Sequence, residues 1–419
     1  MNKIELIIIK EGSAEFYINK TDINAIPSKS MSVFYNKKME INRDVSNLAI
    51  LAYNTLYRQE ELTIVDSMAA SGVSSIRMLK ECNNIKKIYV NDLNPDAVDL
   101  IYKNIELNKL NQIKTIVEIS KKDANFLFTE IAQNSFDLKN KENFTPNVIS
   151  IDPFGTPNIY IDSAFKAIQK NHGLLCVTAT DTAVLFGVRP KACIRKYMSK
   201  PLHNEYCKEI GARILVYFIS RIANVNKLGI IPLLTFYSTH FIRVFALTIK
   251  DKKTITDYFK YYGYIIHCNN CNYRGMSDNN ILNLPHKCPS CSSIEGLDYA
   301  GPLWINDIHD KTFIETILTL NEEKKFPNKK RIEKLITFIK DEIGMPIFYY
   351  NVHKLCQQLK LNKVPNIEDL INSIVEKKFT ATRTQFDFTS IKTNMDLQLI
   401  KSFLLENYKK NNNNNEPPA

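Results

Sequence analysis

The sequence predicts a mostly parallel, doubly wound α/β sheet followed by an α+β region built around a metal site. Three observations carry this. Short β-branched runs alternate with helical stretches from residue 61 to residue 250. Several of these runs end in an acid, and in open α/β sheets ligands bind at the carboxyl ends of strands. Four cysteines then recur as two C-x₂-C pairs within residues 265–295.

Residues 1–60 read as an N-terminal extension packed on the α/β domain. Ile4–Ile9 and Glu15–Asn19 suit a hairpin around Glu11-Gly12-Ser13, and Val45, Leu48, Ala49, Ala52 and Leu56 recur at helical spacing. Strands are expected at Thr63–Val65, Lys87–Val90, Thr115–Ile119, Val148–Ile151 and Leu174–Thr178. The apolar runs Gly229–Tyr237 and Phe241–Ile249 suit a pair at the sheet edge. The polar break at Asp251-Lys252-Lys253-Thr254 is the expected boundary between residues 61–250 and a second domain, 251–408. Helical patterns with Pro- and Asn-marked turns fill 310–405, and the Asn-rich tail, 409–419, lacks the apolar surface needed for order.

The 419 residues allow two or three domains with ample core. A net charge of +11 suits a polyanionic partner or a Lys-rich solvated surface. No apolar run approaches the ~18 residues of a membrane span. Leu6-Ile7-Ile8-Ile9 is too short for a signal core and runs straight into Lys10 and Glu11. Nine cysteines, an odd number in a long chain, argue against a disulfide framework. The expectation is a cytoplasmic protein with no membrane and no obligate protein partner.

The first expected strand runs into Asp66-Ser67-Met68-Ala69-Ala70-Ser71-Gly72, where small residues let the backbone pass close to a ligand. One glycine and no phosphate cradle disfavour a dinucleotide. A nucleoside bearing an amino acid, such as S-adenosylmethionine, fits better. The next strand ends in Asp92, placed to accept from both ribose hydroxyls, and the third is followed by Asp123-Ala124, where an acid can take an adenine amine. Each acid alone reads equally as a turn or helix cap.

Asn147–Ile151 is an apolar run that stops abruptly at Asp152-Pro153-Phe154-Gly155-Thr156-Pro157. A strand followed by a plain turn is the simple reading. The chemical one is a carboxylate that holds a base amine, a stiff turn whose carbonyl shares the amine protons, and a ring that stacks on a flipped base. Arg43, in Ile41-Asn42-Arg43-Asp44, suits a fork to a cofactor carboxylate or a surface pair with Asp44. Cys268-x₂-Cys271 and Cys288-x₂-Cys291, sixteen residues apart, suit a closed structural Zn²⁺ site, against two disulfides or free thiols. Phe186–Lys200 carries Arg189, Lys191, Arg195 and Lys196 without an acid, which suits phosphate contact or a solvated loop.

Together, Val33-Phe34-Tyr35-Asn36, Ile41-Asn42-Arg43-Asp44, Ser71-Gly72…Arg77, Asn91-Asp92-Leu93-Asn94-Pro95, Asp152-Pro153-Phe154-Gly155-Thr156-Pro157, His240-Phe241-Ile242-Arg243-Val244 and Ala300-Gly301-Pro302-Leu303-Trp304 resemble the tRNA (guanine-26-N2) dimethyltransferase family in its archaeal-like short form. The resemblance spans residues 30–400. It implies a class I (Rossmann-like) S-adenosylmethionine-dependent methyltransferase domain, one or two methyl transfers to the guanine amine of tRNA, and a family-specific C-terminal domain. It also implies Arg43, Arg77, Asp92, Asp123 and Ala124 as cofactor contacts, and Asp152 and Phe154 as the acceptor-site pair; the reading of the residues adds Asp66 and Gly72 to the first set and Pro153 to the second. Thr382-Arg383-Thr384-Gln385-Phe386 matches a further family segment and suits RNA contact. His240 and Arg243 suit either RNA contact or a cap on the sheet edge. Two other readings stay open: an amino-methyltransferase for another RNA or for DNA adenine, and a non-catalytic RNA-binding protein.

Overall fold

A computed structural model describes residues 5–22, 31–57, 61–136, 145–324 and 326–413. The chain divides into two interleaved compact units. One takes residues 1–181, 218–258 and 309–336, and the other takes 182–217, 259–308 and 337–419. A single cut near residue 251 does not reproduce this division. The helix Lys311–Glu323 returns to the first unit because its apolar face, Phe313, Ile314 and Ile317, is buried against the helix Glu40–Tyr57 and the sheet.

The first unit opens with a hairpin of β1 (Leu6–Glu11) and β2 (Ala14–Asn19), in which alternate residues Ala14, Phe16 and Ile18 are buried. Ile4, part of the expected hairpin, lies outside the described residues. The main sheet comprises β3 (Leu62–Asp66), β4 (Ile85–Asn91), β5 (Ile116–Ser120), β6 (Val148–Ile151), β7 (Leu174–Ala179), β8 (Gly229–Ser238) and β9 (Phe241–Ile249). Their order is β5-β4-β3-β6-β7-β9-β8. The strands β3 to β7 run parallel, and both β9 pairings are antiparallel. Apart from the edge strand β5, these strands are largely buried on both faces and read as continuous apolar runs, which is why they were visible in the sequence. The chain winds outward from β3 to β5, then restarts on the other side of β3 at β6. The loops after β3 and β6 therefore flank the switch point, where open α/β sheets bind ligands.

The second unit holds two small sheets. One is β10 (Tyr262–Cys268), β11 (Arg274–Ser277) and β12 (Leu297–Trp304), in the order β11-β10-β12. The other is β13 (Tyr350–Asn351), β14 (Ala381–Arg383) and β15 (Ser390–Thr393), in the order β13-β15-β14. Strands of two to four residues leave no alternation to read, so the sequence showed only the helices between them. These helices bury Val352, Leu355, Leu370, Ile374, Ile400 and Phe403 in one core with Ile391. The last helix runs into the first residues of the Asn-rich stretch. The helix Leu397–Asn413 carries its backbone beyond residue 409, because each added residue extends a helix already anchored by packing. Residues 414–419 of the tail lie outside the described residues.

Candidate active site

Each parallel strand delivers a polar group to the same edge of the sheet. β3 ends in Asp66, which is buried and accepts from Ser75 Oγ at 2.6 Å. Burial pushes its carboxyl up to about 6, with Asp152 and Asp92 adding to the effect and the Ser75 hydroxyl opposing it. Ala70 and Gly72 take left-handed backbone (φ 48° and 78°), which turns the chain directly into the helix Val73–Glu81. No side chain caps this helix at its start. The Asp92 oxygens accept from the Ala70 N–H at 2.8 Å and the Asn94 N–H at 2.9 Å, so the loops after β3 and β4 are laced together at this acid. Asp123 accepts from the backbone N–H groups of Asn125 and Phe126 at 2.9 and 3.3 Å, and so caps the helix Ala124–Phe136; Ala124 is buried beneath it.

The other half of the site follows β6. Pro153 is buried and Phe154 is 45 % exposed, with its ring 4.3 Å from that of Phe34 at 79°. The turn is held open at Gly155 (φ 94°), whose N–H donates to Thr180 Oγ1 at 2.7 Å and whose carbonyl accepts from the Thr180 N–H at 2.9 Å. Asp152 accepts from Asn42 Nδ2 at 3.4 Å. Burial raises its pKa, opposed by Arg243, the Thr178 hydroxyl, Arg43 and His240. His240 Nε2 lies 3.3 Å from Asn36 Nδ2, and burial and then Lys38 push its pKa down.

Arg243 corrects an expectation. It is 2 % exposed, on a strand that does not lie at the sheet edge. β9 lies inside the sheet, between β7 and β8, and its register sets Arg243 opposite Thr178. From there Nη1 donates to Thr178 Oγ1 at 2.6 Å and Nη2 to Ser150 Oγ at 3.2 Å. The guanidinium thus supports Asp152 from within the sheet.

Arg43 and Arg77 also find partners that the sequence did not suggest. Arg43 Nε and Nη2 grip Glu11 of the hairpin as a fork, both at 2.5 Å, in place of the surface pair with Asp44. Arg77 has a fully buried side chain that donates to Glu11 at 3.0 Å, to Glu81 at 2.9 Å and to Asp44. Phe34, Asn42 and Thr178 carried no individual signal in the sequence, since each gains its place only through a partner distant in the chain.

The model of the N2,N2-dimethylguanosine tRNA methyltransferase family matches residues 12–405. The chain belongs to this family. It is 35 % identical over 402 residues to a tRNA (guanine(26)-N(2))-dimethyltransferase of Methanosphaera stadtmanae, covering 95 % of this chain and 96 % of that one. It is 30 % identical over 394 residues to a tRNA (guanine(26)-N(2)/guanine(27)-N(2))-dimethyltransferase of Aquifex aeolicus, covering 93 % and 94 %. The solved structure of Trm1 from Pyrococcus horikoshii with S-adenosyl-L-methionine superposes with a TM-score of 0.79 at 28 % identity, over 95 % of this chain and 99 % of that chain.

In this family member, the cysteines expected to bind metal come together in the second unit. The sulfurs of Cys268, Cys271, Cys288 and Cys291 all lie within 4.8 Å of one another, with Cys268–Cys291 and Cys271–Cys288 each at 3.6 Å. Tetrahedral zinc with ~2.3 Å bonds to sulfur needs sulfurs roughly 3.8 Å apart, so the four residues fit that ion. Both knuckles have the same shape. Asn272 and Ser292 follow the second cysteine of each pair in left-handed backbone (φ 61° and 60°), and their N–H groups return to the carbonyls of Cys268 and Cys288.

The expected RNA contacts divide by exposure. Arg189, Lys191 and Arg195 are exposed and Lys196 is half-buried, all on or beside the helix Pro190–Tyr197. Of Lys324, Lys325, Lys329, Lys330 and Arg331, a second basic run in the sequence, Lys325 lies outside the described residues. Thr384, Gln385 and Phe386 are buried, and Arg383 is tied to Glu368 at 2.8 Å and the Phe388 carbonyl at 2.9 Å. That segment is occupied with internal packing, because the Gln385 N–H bonds the buried Glu342 carboxyl.

Proposed function

We propose that this chain is an S-adenosylmethionine-dependent tRNA guanine N2-methyltransferase that adds one or two methyl groups at position 26. The observation that carries this reading is the carboxylate of Asp152 paired with the exposed ring of Phe154 at the switch point, beside the strand-end acids. The donor set fits an uncharged nucleoside bearing an amino acid: Asp92 and Asp123 offer acceptors, and no cationic cradle for phosphate is present among the residues of these loops. Asp66, Gly72, Asp92, Asp123 and Ala124 would hold S-adenosylmethionine, with Arg43 and Arg77 on its carboxylate side. When bound, it supplies an electrophilic methyl group on a sulfonium.

Asp152 accepts the ring N1–H and one amine hydrogen of guanine, and so fixes the amine beside the donor. Adenine presents an acceptor at N1, which an ionised carboxylate repels; this favours guanine over the adenine reading. The Pro153 carbonyl lies next to the same amine. Phe154, backed by Phe34, stacks on the base once it leaves its helix, at a cost of a few kcal/mol. The reaction forms an N–C bond as the S–C bond breaks, with the electron pair remaining on sulfur. Asp152 takes the proton shed by the amine, and Arg243 and Thr178 stabilise the carboxylate beforehand. Arg189, Lys191, Arg195 and Lys196 are proposed to meet tRNA phosphates. Methyl transfer from labelled donor to an unmodified tRNA transcript, followed by nucleoside analysis, tests the reading. N2-methylated guanosine is expected, and methyladenosine or no transfer overturns it.

A further inference from the structure

We propose that Asn42 is a second acceptor-site residue, whose Nδ2 orients Asp152 and whose Oδ1 receives the amine hydrogen that Asp152 leaves free. This rests on the guanine reading above. Asn42 sits in the first turn of the helix Glu40–Tyr57, 2 % exposed, with its carbonyl held by Ser46 Oγ at 2.6 Å. Its neighbours in that turn are committed: Arg43 to Glu11, Asp44 to Arg77 and Asn328. Asn42 is different. Nδ2 faces Asp152, and with Asp152 in the ionised form that the guanine reading requires, the carboxylate only accepts, which selects this orientation of the amide. Oδ1 is therefore left buried with no hydrogen-bond partner. A buried amide oxygen in that state costs about 1–3 kcal/mol, a cost tolerated where a ligand supplies the missing donor.

The guanine edge offers the donor that is missing. It presents three hydrogens, one on N1 and two on the amine, and Asp152 can take only one from each nitrogen. The second amine hydrogen is then shared between the Pro153 carbonyl and Asn42 Oδ1, a buried acceptor with no other partner. With both hydrogens held, the nitrogen lone pair has one direction left, toward the incoming methyl. After the first transfer, one hydrogen has become a methyl group and Asp152 has taken the lost proton, which it releases before the next round. The remaining hydrogen is the one that faced Asn42; rotation about the bond between the ring and the amine carries it to Asp152 and places the methyl beside Asn42. Asn42 thus assists the first transfer more than the second.

Two variants test this on the full-length protein, with single-turnover transfer to unmodified tRNA and to tRNA already carrying N2-monomethylguanosine. Wild-type transfer to guanine N2 is the control, and its absence overturns the guanine reading and this proposal together. Asn42→Ala is expected to slow the first methylation roughly tenfold or more, the worth of one hydrogen bond in the transition state, and the second by no more than about threefold. In Asn42→Asp, a protonated carboxyl can still donate to Asp152 and accept from the amine. Its rate relative to wild type is therefore expected to fall as pH rises and that proton is lost. The charged groups facing this pair are Asp66 on β3, Arg243 on β9, His240 in the β8–β9 turn and Arg43 on the same helix, all retained in the wild-type control. An equal deficit on both substrates, or an Asn42→Asp profile parallel to wild type, overturns the assignment.

Discussion

Replacing Asp152 with asparagine keeps the shape of the side chain and removes its charge. The structure separates the consequences. Burial dominates the environment of the carboxyl and raises its pKa, so a neutral amide is no harder to bury and the melting temperature is expected to hold. Arg243 keeps its bonds to Thr178 and Ser150, so the sheet edge stays intact. What is lost is one charge-assisted bond to guanine, at about 1.5–3 kcal/mol, and because the amide presents a donor there to a donor of the base, that buried group is left unpaired at about a further 1–3 kcal/mol. The sum is about 2.5–6 kcal/mol, or roughly 10²- to 10⁴-fold in the single-turnover rate. The assay is labelled methyl transfer to saturating unmodified tRNA, with cofactor affinity measured separately by calorimetry. That affinity is expected to stay within about twofold, since the donor half is built from other strand ends. A comparable loss of cofactor affinity, or a transfer rate within tenfold of wild type, would refute the placement of Asp152.

Two further outcomes concern the second unit. Protein purified under reducing conditions is expected to carry one zinc per chain. Cys288→Ser should lose it and make the β10–β12 region sensitive to protease while cofactor affinity persists; a fully folded, metal-free preparation contradicts the four-thiolate site. Glu342 is pushed up to about 7 by burial, against an ordinary value of 4.5, with Lys392 opposing and Glu209 reinforcing the shift. Because the folded carboxyl keeps a proton that the unfolded chain releases, stability falls as pH rises from about 4.5 to about 7. Glu342→Gln keeps the acceptor for the Gln385 N–H and should flatten that slope by about 3 kcal/mol, read from denaturation midpoints across the window. An unchanged slope assigns the titration elsewhere.

Much of the site was legible wherever chemistry follows from neighbouring residues. Val148–Ile151 declared itself a buried strand through its unbroken apolar run, and the Asp152–Gly155 turn followed because a strand must end somewhere. The cysteine knuckles were visible for the same reason, since C-x₂-C and one left-handed residue make a knuckle whatever surrounds it. The short strands β13 to β15 were not legible, and neither was the return of residues 309–336 to the first unit, because both depend on what they pack against.

The sequence by itself determined which stretches bury, where strands stop and which acids and thiols stand at their ends, since periodicity and turn chemistry act over a few residues. Only the tertiary structure decided who meets whom. Strand order brought Arg243 behind Asp152 by inserting β9 between β7 and β8. The hairpin brought Glu11 to Arg43 and Arg77, and a loop far upstream brought Phe34 to Phe154. These pairings join groups tens to more than a hundred residues apart. No local pattern encodes them, because they arise from the order in which the strands are laid down.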